Sequence, residues 1–245
     1  MAASAWVYPL YRSMWTALDW VFPPVCAGCG KFGYRWCQEC QQHVPVLRGK
    51  VCISCGMPLD DGGLCHACEQ HRPPFQALRS WAAFDDPLRQ ALHRLKYRRD
   101  IGLGDALAVQ MVDFILKLDW PIDMIVPIPL GKTRQKERGY NQVGMVARPL
   151  SLALGLAYSP KALIRRRDTR SQVGLPREQR RENVRDAFQA VGVQVRDRTI
   201  LLMDDVATTG STLEAGADAL LSAGARQVYA LTVARALPRH DLQLT

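Results

Sequence analysis

From residue 85 onward the apolar positions switch between two periods. Leu88, Leu92 and Leu95 recur at helical spacing, as do Leu107, Met111, Phe114 and Leu118. Val143, Val146, Ala147, Leu150 and Leu154 repeat the pattern, and Gly155 closes it. Between these segments, short apolar runs predict strands at residues 124–128, 158–164, 200–203 and 227–233. The run at 200–203 has no polar interruption, which fits a strand covered on both faces. Alternation of this kind predicts an α/β fold with right-handed crossovers and a mainly parallel sheet.

The chain before residue 85 has a different pattern. Trp6, Tyr11, Trp15, Leu18 and Val21 stand at near-helical spacing, interrupted by Arg12 and Asp19. Residues 1–24 therefore predict an aromatic helix packed on the next module, with peripheral membrane contact as the minor alternative; neither a signal peptide nor a membrane span is expected. All eight cysteines then fall in four Cys-x-x-Cys pairs, Cys26/Cys29, Cys37/Cys40, Cys52/Cys55 and Cys65/Cys68. Two residues between thiolates let both sulfurs face one tetrahedral ion, and Gly30 and Gly56 permit the tight turn that follows. Structural disulfides are the alternative, but nothing indicates secretion, so two structural zinc ions and a cytoplasmic location are expected. Sequential use of the pairs is favoured over interleaved use, because Cys-x-x-Cys-Gly followed by Cys-x-x-Cys occurs twice in tandem. His43, His66 and His71 are read as bystanders. Residues 25–72 form a double zinc ribbon in this reading, with Pro73 and Pro74 leading into an α/β domain over residues 75–245.

The apolar run at 200–203 leads directly into Asp204 and Asp205, then Ala207, Thr208, Thr209, Gly210, Ser211 and Thr212. Leu213, Ala217, Leu220 and Leu221 follow at helical spacing, with Gly224 as a stop. Two carboxylates thus stand where an open α/β sheet puts its ligand crevice. A helix N-terminus preceded by glycine and hydroxyl groups supplies N–H donors for a phosphate dianion. The segment resembles the PRPP-binding signature of type I phosphoribosyltransferases. That resemblance makes Asp204 and Asp205 the ribose ligands and catalytic pair, and Ala207 to Thr212 the 5-phosphate loop.

The formal charge of +9 is concentrated in three places, which points to a polyanionic ligand. Lys132, Arg134, Lys136 and Arg138 follow Pro127, Ile128 and Pro129, where a pyrophosphate would rest; Tyr140, Asn141 and Gln142 complete that candidate subsite. Asn141 equally suits a helix cap. Arg165, Arg166, Arg167 and Arg170 form a second cluster, and Arg177, Arg180, Arg181 and Arg185 a third, for which a solvated helix face is an equal alternative. Tyr34, Trp36 and Tyr97 are candidate stacking residues, though such aromatics are more often core.

His93-Arg94-Leu95-Lys96-Tyr97, Val126-Pro127-Ile128-Pro129, Arg138-Gly139-Tyr140-Asn141-Gln142, Thr169-x-x-Gln172 and Arg181-x-Asn183-Val184 with Ala187-Phe188 resemble the ComF/GntX family in content and order. So does the cysteine module after Phe22-Pro23-Pro24. The resemblance implies a type I phosphoribosyltransferase-like sheet behind a zinc ribbon, PRPP or a nucleotide as ligand with Mg²⁺, and a role in competence or the handling of imported DNA alongside DNA-processing proteins. Single-stranded DNA would meet Arg165, Arg166, Arg167, Arg170 and Lys96. The resemblance leaves open whether transfer occurs, and no residue identifies an acceptor. The alternative is an active phosphoribosyltransferase of nucleotide metabolism.

Overall fold

The computed structural model describes residues 7–167 and 186–237. Helix α1 (Val7–Val21) leads into two small ribbons, each opened by an isolated antiparallel bridge, Val25 to Phe32 and Val51 to Pro58, and each ending on one helical turn, α2 (Gln38–Gln42) and α3 (His66–Gln70). The α/β part runs β1 (Leu78–Ala83), α4 (Leu88–Tyr97), α5 (Leu103–Leu116), β2 (Met124–Pro127), α6 (Lys132–Arg138), α7 (Gln142–Leu154) and β3 (Ala157–Tyr158). It continues with β4 (Leu163–Arg165), β5 (Phe188–Ala190), α8 (Gly192–Val195), β6 (Thr199–Ala207), α9 (Ser211–Ser222) and β7 (Gln227–Arg235).

Five strands pair in the order β1-β7-β6-β2-β3, every pair parallel. The central strand β6 is buried on both faces, which explains its unbroken apolar run. Leu201 and Met203 pack with α4, α5 and α7, whereas Ile200 and Leu202 pack with Leu213, Ala217 and Leu220 of α9. The first core also takes in Cys26, Ala27, Trp36, Cys37 and Cys40, so the first ribbon shares apolar packing with the helical face of the sheet.

Two sequence expectations need correction. The strand expected at 158–164 is two strands in two sheets: β3 closes the parallel sheet, while β4 pairs antiparallel with β5 in a separate two-stranded sheet. Pro160 lies between them and cannot donate to a ladder, so the run breaks there. Helix α5 stops at Leu116, before Leu118. Helix α7, by contrast, closes as expected on Gly155, with φ +68°. No helix among the described residues is long and apolar enough to cross a membrane.

Candidate functional site

Backbone geometry gathers the cysteines into two sets of four, Cys26/Cys29/Cys37/Cys40 and Cys52/Cys55/Cys65/Cys68, each with its sulfurs within 4.8 Å of one another. The sets are sequential. Cys29 and Cys37 Sγ lie 3.6 Å apart, and Cys55 and Cys65 Sγ 3.7 Å. Tetrahedral Zn–S bonds of about 2.3 Å require sulfur separations of roughly 3.8 Å, so both sets fit zinc. The two ribbons also repeat their second coordination layer: Cys37 N donates to Cys26 Sγ at 3.4 Å, and Cys65 N to Cys52 Sγ at 3.3 Å. Burial pushes the Cys26 and Cys52 thiols up, but backbone amides aimed at them outweigh it and bring both to about 6. Burial and neighbouring thiols push Cys40 and Cys68 the other way.

The ribbons are held differently. In the first, a side chain on Gly28 would reach 2.6 Å from Cys40 Sγ and 2.8 Å from Pro87 Cβ, so the knuckle sits directly on the start of α4. Arg94 Nη1 then donates to Cys26 O at 3.0 Å. Arg35 of the same ribbon pairs with Asp19 and lies 4.9 Å over the Trp15 ring, which fastens α1 to it. The second ribbon is held by polar groups on β1 and β7. Leu78 N donates to Ser54 O at 2.7 Å, and Arg235 Nη1 to Cys55 O at 2.7 Å. Arg235 is only 2% exposed. Sequence reading missed it; a lone arginine closing an otherwise apolar strand was the available signal.

Strand β6 continues through Asp204 and Asp205 to Ala207, so the acidic pair stands in its last turn of pleat rather than beyond it. Successive side chains point to opposite faces. Asp205 shares the face of Leu201 and Met203, where it meets Lys96 of α4 (Nζ to Oδ2, 2.7 Å) and Gln142 of α7 (Nε2 to Oδ2, 3.1 Å). Arg138 Nη1 donates to Gln142 Oε1 at 2.7 Å, and the Tyr140 hydroxyl donates to Leu95 O. The ends of α4 and α6 and the start of α7 therefore converge on one carboxylate. Asp204 Oδ1 accepts from Asp205 N at 2.8 Å.

These surroundings separate the two acids. Burial, then the Asp205 charge, pushes Asp204 up to about 8. Burial also raises Asp205, but the Lys96 ammonium and the Gln142 amide more than offset it and hold this carboxyl below its usual range. The surroundings thus favour the charged form of Asp205 and the neutral form of Asp204, a split that a nearby cation would reduce.

Thr208, Thr209 and Gly210 turn the chain from β6 into α9. Gly210 has φ +85°, a left-handed conformation that costs glycine little, and it opens the helix at Ser211. Thr209 Oγ1 and Ser211 Oγ share a 2.8 Å hydrogen bond, and the first N–H groups of this 12-residue helix face the crevice end of the sheet. Opposite, Pro127 is in register with Met203 and Ile128 N donates to Met203 O at 2.8 Å, so Ile128 and Pro129 leave the sheet beside Asp204. Asn141 caps α7, accepting from Val143 N at 3.0 Å, and its amide donates to Ile128 O at 2.8 Å, which fixes this loop.

The remaining candidates scatter. Lys132, Arg134 and Lys136 are exposed along α6. Arg165 lies 5.2 Å over Phe188, and Arg166 Nε donates to Gln189 Oε1 at 2.5 Å, both against β5. Lys96, expected on a DNA surface, is the ion-pair partner of Asp205. Trp36 is core at 4% exposure, whereas Tyr34 and Tyr97 are exposed. Arg170, Arg177, Arg180, Arg181, Arg185, Asn183 and the Thr169/Gln172 motif lie outside the described residues.

Comparison with known proteins agrees with both halves. The Double zinc ribbon domain family matches residues 17–69, and the Phosphoribosyl transferase domain family residues 142–241. The chain is 34% identical over 208 residues to the DNA utilization protein YhgH of Salmonella typhi, covering 82% of this chain and 90% of that one. It is 29% identical to Competence protein F of Haemophilus influenzae (82% and 90% covered) and 28% identical to Competence protein ComFC of Bacillus subtilis (81% and 83% covered).

Proposed function

Because the chain belongs to the ComF/GntX family, with a double zinc ribbon followed by a phosphoribosyltransferase domain, we propose that it binds PRPP or a nucleotide with Mg²⁺ and serves DNA uptake or the use of imported DNA. One observation carries the ligand: two carboxylates with split proton affinities stand at the end of β6, immediately before a glycine-led helix start. Asp204 and Asp205 accept hydrogen bonds from ribose hydroxyls. Thr208 to Thr212 hold the 5-phosphate. Ile128, Pro129, Arg134 and Arg138 border the pyrophosphate. Mg²⁺, when bound, neutralises pyrophosphate oxygens and orders the ribose hydroxyls beside the acidic pair. The reading places the protein in the cytoplasm, where PRPP and reduced thiols coexist.

Single-stranded DNA is the proposed macromolecular ligand, drawn by the +9 charge. Neutralising Arg165, Arg166 and Arg167 together removes phosphate contacts, so affinity falls alike for all sequences and the salt slope flattens. Binding measured at two salt concentrations tests this; an unchanged triple variant contradicts it. An active transferase is the second reading, favoured by the domain match over the acidic pair and turn. In it, an acceptor replaces pyrophosphate at C1 while Asp204 and Asp205 offset positive charge on the sugar. Incubation with Mg²⁺, PRPP and a panel of bases, with pyrophosphate as readout, decides between binding and transfer.

A further inference from the structure

A cleft of about 690 Å³ is lined by the first zinc knuckle and α4 and is distinct from the phosphate turn. Its volume is that of small-molecule sites generally, roughly 300–1,000 Å³. Cys26 to Gly30 form one wall and Arg89 to Arg98 the other. Two properties of the second wall specify a ligand. First, His93 and Tyr97 stand one helical turn apart with ring centroids 4.7 Å apart, both exposed, Tyr97 by 62%. The rings are tilted by 46° to each other, so they offer two separate aromatic surfaces at the rim of the cleft. Second, the described residues lining the cleft include four cationic side chains, Arg89, Arg94, Lys96 and Arg98, and no carboxylate. Arg89 is tied to Asp86, Arg94 to Asp100 and Lys96 to Asp205, all outside the lining. Arg98 has no carboxylate partner among the described residues.

Aromatic surfaces beside a guanidinium with no carboxylate partner match a flat base joined to a phosphate. We infer that this cleft is a second nucleotide subsite, taking one nucleotide unit with its base against the His93–Tyr97 pair and its phosphate on Arg98. The inference rests on the reading that the protein handles DNA or its nucleotides, and adds to it a location away from Arg165, Arg166 and Arg167. The position has a consequence for the ribose site. Arg138 lies 5.0 Å over the Tyr97 ring while donating to Gln142, and Lys96 lines the cleft while pairing with Asp205. An occupant of the cleft would therefore sit beside the groups that hold the acidic pair. The nucleotide unit can belong to a single strand or be free, and the chemistry of recognition is the same.

The test uses the full chain with its zinc, a fluorescent oligothymidylate and free thymidine 5′-monophosphate. Both probes are titrated into the parent, Tyr97→Ala and Arg98→Gln, with zinc content as the check on folding and PRPP titrated separately. An Asp204→Asn, Asp205→Asn background removes ribose-site binding of the mononucleotide. Tyr97→Ala should weaken binding about tenfold, the scale of one lost base stack. Arg98→Gln should weaken it and flatten the salt dependence by about one phosphate contact. Losses with the strand alone identify DNA as the source. Losses with the mononucleotide alone identify a free nucleotide, and the DNA part of the functional reading then fails while the cleft stands. If neither probe binds the parent, or if both bind the two cleft variants as well as the parent, the cleft is not a nucleotide subsite; mononucleotide binding that vanishes in the Asp204→Asn, Asp205→Asn background belongs to the ribose site, and the strand titration then decides. PRPP binding stands or falls by its own titration.

Discussion

The second cysteine centre and the acidic pair are both anionic sites placed against the same sheet, and they are balanced differently. Four thiolates around Zn²⁺ leave a net charge of about −2. Two guanidiniums answer it: buried Arg235, which donates to Cys55 O, and Arg79, whose Nη1 donates to Cys52 O at 3.4 Å and Ile53 O at 3.2 Å. Burial lowers the pKa of both arginines while the thiols raise it, as expected of cations held in place by a neighbouring anionic cluster. The acidic pair has two carboxylates and one ammonium, Lys96. Burial and the Asp205 charge answer the deficit by favouring the neutral form of Asp204. A centre with matched charge has a structural task. One that is a cation short has room for a ligand, which is the role proposed for the acidic pair.

Metal removal tests the closed side of the comparison and has the largest effect. The protein should carry two zinc ions per chain, and in so small a module the free energy of metal binding is the free energy of folding, of order 10 kcal/mol per site. Elemental analysis showing one zinc or none in reduced, folded protein contradicts the double ribbon. Cys26→Ser should unfold the first ribbon and expose Trp36, while PRPP titration reports whether the acidic pair still works. Next in size is Arg235→Met, which keeps length but removes the charge and its hydrogen bond, costing about 2 kcal/mol. It should make one zinc labile to chelator and leave the other unchanged. Equal lability of both ions would show that Arg235 does not support the second centre.

Much of this contrast is legible in the sequence, for different reasons on each side. Thiolate spacing alone gives the four cysteine pairs, because two intervening residues dictate a knuckle whatever surrounds it, while the tandem repeat only favours the sequential grouping that the structure shows. The phosphate turn is equally local: an apolar run, two acids and Thr-Thr-Gly-Ser-Thr specify a strand, an edge and a helix start. What balances each centre is not local. Lys96 is 109 positions before Asp205 and Arg235 is 180 after Cys55, and both pairings exist because the strand order β1-β7-β6-β2-β3 brings distant ends together. A charge run along the chain cannot show which cation is already committed. The split at Pro160 was readable, since proline breaks a ladder, but apolar residues on both sides disguised it.

Proton affinity tests the open side with a smaller effect. Asp204 is raised from 3.8 to about 8, so the fold favours its protonated form. Its contribution to stability is complete below pH about 4 and is lost as pH rises through about 8. Asp204→Asn should remove that part of the decline in thermal stability between pH 5 and about 8, and a variant with the parent's slope would remove the assignment. By the same linkage, ligand binding that needs the carboxylate should release a proton at pH 7 and tighten as pH approaches about 8; calorimetry in buffers of different ionisation enthalpy reads this directly.

The central claim is that Asp204 and Asp205 receive a phosphorylated ribose with its cation. Calorimetric titration of PRPP, with and without Mg²⁺, into the parent and into Asp204→Asn, Asp205→Asn tests it most directly, since the substitutions keep size and remove charge. The account predicts Mg²⁺-dependent binding in the parent, loss of that dependence in the double variant, and two zinc ions in both. Unchanged affinity in the double variant, or no PRPP binding by the parent, would contradict it.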